Sequence, residues 1–240
     1  MNYLITGVSK GLGLNLAAEL LKNGDVIYGV SRTMTKQLEE LKQNNPEKLK
    51  WISYDLSNSG NVRATILKEW IGFETPLHGY VNNAAIAYDD LVTNLNLEAL
   101  EKMYRVNVFT PMMLTKYVIR QMLLHNIKGS LVHLSSISVH TGYKGLAMYA
   151  STKGALEGFS KNTAREWGEK GIRSNCLVAG FMETDMNSLL TEAQKQRIYN
   201  RTSLKRPVNI NSVVSTVIFL LKDSSSSITG ENIFVTNGTI

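Results

Sequence analysis

The chain has 240 residues, 43% of them hydrophobic and 19% charged, with a formal net charge of +6 and a sequence pI of about 9.3. That length admits one large α/β domain or two small ones, and the composition excludes a disordered or fibrous chain. No apolar run approaches the ~18 residues of a membrane span, and the opening "MNYLITG" has no basic n-region, so neither a targeting nor a transmembrane segment is expected.

Two further bulk features narrow the setting. The single Cys176, in "SNCLVAG", cannot pair internally and fits a buried thiol in a reducing compartment, the cytoplasm. The basic residues mostly alternate with acids, as in "KQLEELKQ" and "AREWGEKGIR", which is the pattern of solvated helix faces and not of a nucleic-acid stripe. One cluster departs from it: Lys195, Arg197, Arg201, Lys205 and Arg206 follow one another with no acid between.

In chain order, short β-branched runs alternate with helical patterns. "NYLIT" precedes "LGLNLAAELLKNG", "DVIYGVS" precedes "TKQLEELKQN", and "LKWISYD" precedes "NVRATILKEWI". "LHGYVNN" then leads into one long helical stretch from Leu97 to Asn126, and "GSLVHLSS" into a helix around Tyr149. "IRSNCLVAG", the helix "INSVVSTVIFLLK" and "ENIFVT" close the series. With no linker or repeat, this alternation predicts a single domain over 1–240, an α/β fold with a doubly wound parallel sheet of Rossmann-like type. Ligands of such sheets bind outside the carboxyl ends of the strands.

Those ends carry the candidate site. After the first strand, "TGVSKGLG" places Gly7, Gly11 and Gly13, with Ser9, Lys10 and Leu12, at the start of a helix. There glycines let the backbone approach a pyrophosphate favoured by the helix N-terminus. The second strand ends in Ser31 and Arg32, where an acid would select NAD and an Arg accommodates the 2′-phosphate of NADP. Lys10 adds a cation, and Asp25 lies at the wrong end of that strand. The cofactor expected is therefore NADP(H), and no metal site is expected. At the third strand end, Asp55 is equally suited to the adenine amino group or to capping the next helix, with Leu56 beside it. The fourth ends in Asn83 and Ala84, small and amide-bearing; the fifth ends in the hydroxyl run Ser135, Ser136 and Ser138.

Tyr149 and Lys153, in "YASTK", stand at i and i+4 and so share a helix face. A free phenol titrates near ~10, so a cation held beside it favours phenolate and makes the phenol a usable proton donor. The same spacing also suits an ordinary pair on a solvated helix.

Taken together, "TGVSKGLG", "NNAA", "YRVN", the serine run and "YASTK" resemble the short-chain dehydrogenase/reductase family over essentially the whole chain. "AGFMETDM" and the ending "SSSSITGENIFVTNG" are most similar to its 3-oxoacyl-[acyl-carrier-protein] reductase branch. The resemblance implies a catalytic tetrad of Asn107, Ser136, Tyr149 and Lys153. Tyr149 would donate a proton, Ser136 hold the carbonyl oxygen, Lys153 bind the nicotinamide ribose and lower the Tyr149 pKa, and Asn107 hold a relay water. Gly180, Met182 and Thr184 would complete the cofactor contacts, Thr184 bonding the carboxamide. Three departures touch backbone geometry: Ala85 and Ala179 replace the family's Gly and Pro, and "VTNGTI" replaces its "VDGG" close.

The implied reaction is NADPH-dependent reduction of a ketone to a secondary alcohol, on a 3-oxoacyl thioester carried by acyl carrier protein. A free ketone or sugar substrate is the alternative, and a non-catalytic NADP-binding sensor or scaffold a remote one. A lid is implied over about 183–206, where Leu189, Leu190 and Ile198 face pocket or core and the basic cluster rings the mouth. Lys170 matches a carrier-docking position and Lys128 lies one residue from another. Apolar residues on more than one face of "VNVFTPMMLTKYVIRQMLLHN", namely Met112, Met113, Val118 and Met122, point to a partner subunit, and the resemblance implies a homotetramer; no nucleic acid or membrane partner is expected.

Overall fold

The computed structural model describes residues 1–183 and 190–239. Within them, parallel strands form one sheet in the order β3-β2-β1-β4-β5-β6-β7. The strands are β1 (Asn2–Thr6), β2 (Val26–Ser31), β3 (Leu49–Ser53), β4 (Gly79–Asn82), β5 (Ser130–Ser136), β6 (Arg173–Ala179) and β7 (Asn232–Val235). The main helices are α1 (Gly11–Lys22), α2 (Lys36–Gln43), α3 (Leu97–Tyr104), α4 (Thr110–Leu124), α5 (Ala147–Trp167), α6 (Glu192–Asn200) and α7 (Ile210–Leu221).

Helices on both sides explain why the central strands are apolar throughout: Tyr3, Leu4 and Ile5 of β1 are all fully buried. Their alternation sends Tyr3 and Ile5 into a core with Leu16 and Leu20 of α1 and Val213 and Val217 of α7. Leu4 goes to the opposite core, with Leu114, Val118 and Met122 of α4. The strand order reverses where β1 lies between β2 and β4. That reversal opens the crevice in which doubly wound folds bind their ligands.

The long helix expected from Leu97 to Asn126 is broken. Between α3 and α4, residues Arg105–Phe109 widen into a π turn in which the Thr110 N–H reaches back to the Arg105 carbonyl. Pro111 is the cause: it has no N–H for the Asn107 carbonyl one turn earlier, and its ring crowds that carbonyl. Such bulges recur at functional sites, and this one carries Asn107. The segment Arg63–Ile71 is also π-wound where the pattern predicts an α-helix.

The apolar faces of α4 are also redistributed. Val118 and Met122 are fully buried in the chain's own core, and Met113 packs against it. Of the four residues expected on several faces, those three are packed on the chain's own core. The outward apolar surface instead comes from Phe109 and Leu124, with Leu97 and Val92 nearby in sequence. Among the described residues, no helix is long and apolar enough to cross a membrane.

Candidate active site

The three glycines after β1 serve different physical needs. Gly7 has φ +76°, and a Cβ there would lie 2.8 Å from Asn83 Nδ2 and 3.0 Å from Ala84 Cα. Gly11 has φ +55° with open space above it. Gly13, inside α1, would drive a Cβ into the Gly7 carbonyl. Asn83 closes the turn by donating from Nδ2 to the carbonyls of Thr6 at 2.9 Å and Gly7 at 3.1 Å. Ala84 N donates to Thr6 Oγ1 at 3.2 Å. The N-terminus of α1 carries no side-chain cap and no acid in its first turn, so its N–H groups and dipole suit an anion. Ser9 and Lys10 lead into this turn, and Leu12 is buried beneath it.

Beside the turn lies a pocket of about 70 Å³ lined by Ser31, Arg32, Tyr54, Asp55, Leu56, Ala85, Ile86, Lys102 and Val106. The structure thus brings Ser31, Arg32, Asp55 and Leu56 together, as the strand ends predict. Ser31 Oγ is held by Trp51 Nε1 at 2.9 Å. Asp55 accepts the Ser57 N–H at 2.9 Å, so it folds its own turn and caps no helix. That N–H holds the Asp55 carboxyl below the usual carboxylate range, helped by the charges of Arg32 and Lys102. Lys102 on α3 is a cation that the sequence did not signal; the tertiary fold brings it to the segment Tyr54–Leu56 after β3.

A tight glycine turn with open space above Gly11, an uncapped helix N-terminus and a pocket edged by two cations fit a phosphorylated dinucleotide. Asp25, at the other end of β2, is buried against Lys222 at 2.9 Å and takes no part.

The fifth strand end shows how one hydroxyl is aimed. Ser136 Oγ accepts from Ser138 N at 3.2 Å and from Ser138 Oγ at 2.9 Å. With both lone pairs engaged, its proton is left to donate. Ser138 was legible only as one of a run of hydroxyls.

On α5, Tyr149 and Lys153 do share a face, but the ammonium is not beside the phenol. Lys153 Nζ lies 5.6 Å from the Tyr149 ring centroid and donates to the Leu134 carbonyl at 2.7 Å. Burial lowers the Lys153 pKa to about 8. Burial raises the Tyr149 pKa, and the charge of Asp89 raises it further. The expected lowering of Tyr149 by Lys153 is therefore absent, because the β5 backbone draws the ammonium toward itself. Behind it, His133 on β5 is kept neutral, its pKa pulled down to about 4 by burial and by the Lys153 charge.

Asn107 is buried in the π turn with its amide committed. Nδ2 donates to the Ile86 carbonyl at 2.9 Å and to Thr152 Oγ1 at 3.1 Å, and Oδ1 accepts the Ile86 N–H at 2.9 Å. Its side chain thus ties the loop after β4 to α5. The Asn107 amide is therefore paired within the protein.

After β6, Gly180 is buried, and a Cβ would meet Thr236 Cα at 2.8 Å, so glycine here admits the segment after β7. Met182 packs on the core beside α7. Thr184 and Leu189 lie outside the described residues. In α6, Tyr199 donates to Glu183 at 2.7 Å, and Ile198 and the preceding Leu190 are half-buried. Lys195 pairs with Glu192 at 2.7 Å and with Glu183 at 3.8 Å, so acids outside the basic run neutralise its first member. Arg201 stacks 5.7 Å over the Tyr143 ring.

A family model described as enoyl-(acyl carrier protein) reductase matches residues 7–239. The chain belongs to the short-chain dehydrogenase/reductase family and is one of its oxidoreductases, acting between ketones and secondary alcohols. It is 31% identical over 240 residues to carbonyl reductase [NADPH] 2 of Sus scrofa, covering 99% of this chain and 96% of that protein. It is 30% identical over 238 residues to 3-oxoacyl-[acyl-carrier-protein] reductase FabG of Aquifex aeolicus, covering 98% and 95%. Among solved structures, a gluconate 5-dehydrogenase from Burkholderia cenocepacia in complex with NADP and tartrate superposes with a TM-score of 0.91. That pair is 26% identical, covering 99% of this chain and 94% of the other.

Proposed function

We propose that the protein uses NADPH to reduce a ketone to a secondary alcohol, and that its substrate is a 3-oxoacyl thioester on acyl carrier protein. The observation that supports the chemistry is the placement of Ser136 at the carboxyl end of β5 and of Tyr149 and Lys153 at the start of α5, with Lys153 Nζ 5.6 Å from the Tyr149 ring centroid. The cofactor reading rests on Arg32 at the end of β2 and on the cationic pocket it shares with Lys102. NADPH, when bound, supplies the hydride.

The glycine turn and the α1 N-terminus would hold its pyrophosphate, and Ser31, Arg32, Asp55 and Leu56 its adenosine end, with Asn83 and Ala84 between them. Gly180 and Met182 would bound the nicotinamide end, with Thr184, by the family resemblance, bonding the carboxamide. Tyr149 gives its proton to the carbonyl oxygen as charge develops there. Ser136 holds that oxygen by donating its one uncommitted proton. Lys153 would bind the nicotinamide ribose, and its charge near the phenol would offset the burial that raises the Tyr149 pKa. Asn107 keeps α5 and the loop after β4 in register.

The carrier reading is supported by Lys128 and Lys170. The Lys128 stem lies against Gly171, where a Cβ would meet its Cγ at 2.7 Å, so the two exposed lysines share a surface that an acidic carrier would find attractive. Likeness to a carbonyl reductase favours a second reading, a free ketone or sugar. We also place the protein in the cytoplasm as a homotetramer, in which Phe109 and Leu124 are covered by a second copy. A substrate panel with NADPH consumption followed optically tests the chemistry. Carrier-bound 3-oxoacyl substrate should turn over at least about tenfold better, in kcat/KM, than a free ketone. Tyr149→Phe should abolish turnover while NADPH still binds, and a retained rate would refute the proton donor. Reversing Lys170 and Arg201 to Glu should raise KM for the carrier substrate alone.

A further inference from the structure

Glu157 has no place in the proton transfer above, yet its side chain is only 10% exposed. Burying a carboxylate is costly unless it is hydrogen-bonded, and three donors meet this one. Ser135 Oγ donates to Oε1, His140 Nε2 lies 3.1 Å from the same oxygen, and Asn232 Nδ2 donates to Oε2 at 2.8 Å.

The positions of these donors along the chain give the cluster its meaning. Ser135 immediately precedes Ser136, and His140 follows the short 3-10 turn Ile137–Val139 that Ser136 caps. Both ends of the segment carrying the Ser136 hydroxyl are therefore tied to one carboxylate. That carboxylate stands on α5 at spacing four from Lys153 and eight from Tyr149, on the same helix face. From the other side, the His140 ring packs on Phe234 of β7 at 4.7 Å, on the strand that supplies Asn232. A strand alternates its side chains, so seating Ser135 on Glu157 determines which way Ser136 points.

We propose that Glu157 is a positioning residue: it locks the Ser136 turn to the helix that carries Tyr149 and Lys153, so that the serine and tyrosine hydroxyls meet one carbonyl oxygen. This rests on the assignment of Ser136 as the group that holds that oxygen. A misplacement of about 1 Å in such a constellation costs up to ~100-fold in rate.

The test is a cycle of Glu157→Leu, Glu157→Gln and His140→Ala, each alone and combined with Ser136→Ala, read as kcat at saturating NADPH and as the NADPH Kd. Glu157→Leu should lower kcat about tenfold or more with the NADPH Kd within about twofold. Glu157→Gln, which keeps an acceptor for Ser135, should restore most of the rate. In the Ser136→Ala background, Glu157→Leu should cost less than about twofold, because its route of action is already gone. Equal losses in both backgrounds, or a loss confined to thermal stability, overturn the clamp. If Ser136→Ala alone leaves turnover intact, the serine assignment itself has failed. His140→Ala, at a side chain 31% exposed, covers the case in which Glu157→Leu does not fold. It should lower kcat about threefold or more, again only while Ser136 is present, and an unchanged kcat overturns the clamp.

Discussion

Ser138 donates its hydroxyl to Ser136 Oγ at 2.9 Å while its backbone N–H reaches the same oxygen at 3.2 Å. One residue therefore saturates both lone pairs of its neighbour and leaves the Ser136 proton as the available donor. Ser138→Ala removes one of the two bonds and lets the Ser136 hydroxyl rotate. A neutral hydrogen bond contributes about 0.5–1.5 kcal/mol, so kcat should fall roughly three- to tenfold. The NADPH Kd, measured by fluorescence titration, should not change; a matching loss of cofactor affinity would count against this route.

Lys153 should impose a basic limb on the pH profile. Its pKa is lowered to about 8 by burial, so above that pH the free enzyme loses the charge that Lys153 would bring to the nicotinamide ribose and the phenol when NADPH binds. The profile of kcat/KM reports the free enzyme and should fall above about pH 8. Lys153→Arg, which stays charged, should move that limb upward. If the limb stays in place, another group causes it.

The same shift bears on stability. The folded pKa of Lys153, about 8, lies below its ordinary value of 10.5, so between these limits the unfolded chain holds more protons and stability rises with pH. Below about pH 8 the buried charge costs its full amount, on the order of 3 kcal/mol. Lys153→Met should therefore raise stability at pH 7 relative to pH 10.5. Urea unfolding at the two pH values measures this, and an unchanged difference between wild type and variant would refute it.

Arg32→Asp should shift preference from NADPH toward NADH. It removes a cation from the pocket that Arg32 shares with Lys102 and offers the ribose hydroxyl an acceptor. A charged hydrogen bond of roughly 1.5–3 kcal/mol corresponds to about a ten- to hundredfold change in the affinity ratio. Because Lys102 remains, NADPH binding should weaken further in the double variant with Lys102→Ala. Unchanged Kd ratios would place the 2′-phosphate elsewhere.

Gly13→Ala and Gly11→Ala should behave differently although both lie in the same turn. At Gly13 a Cβ collides with the Gly7 carbonyl and comes within 2.6 Å of Asn83 Nδ2, whereas at Gly11 it meets nothing and the strain lies only in φ +55°. Overpacking costs about 1–3 kcal/mol, so Gly13→Ala should lower Tm by several degrees. Gly11→Ala pays only the left-handed penalty of about 1–2 kcal/mol. A Tm loss at Gly11 larger than at Gly13 would contradict the packing.

The sequence alone determined the sheet and the strand ends that bear the site. Apolar runs such as Tyr3–Leu4–Ile5 alternate with helical periods, and a strand buried on both faces leaves no other arrangement for them. It also determined the chemical identity of Ser136, Tyr149 and Lys153 and the cation at Arg32, since these are matters of residue type at a fixed offset from a strand end. Tertiary structure decided what those groups touch. Whether Lys153 faces the Tyr149 hydroxyl or the Leu134 carbonyl depends on how deeply α5 packs on β5. The Asn107 amide meets Ile86 and Thr152 because Pro111 opens the helix there. Lys102 entered the adenosine pocket, and Glu157 met Ser135, His140 and Asn232, through contacts between residues 17 to 75 positions apart or on separate elements. Local periodicity reports which face of an element is buried; it carries no record of the neighbour across that face, which packing alone selects.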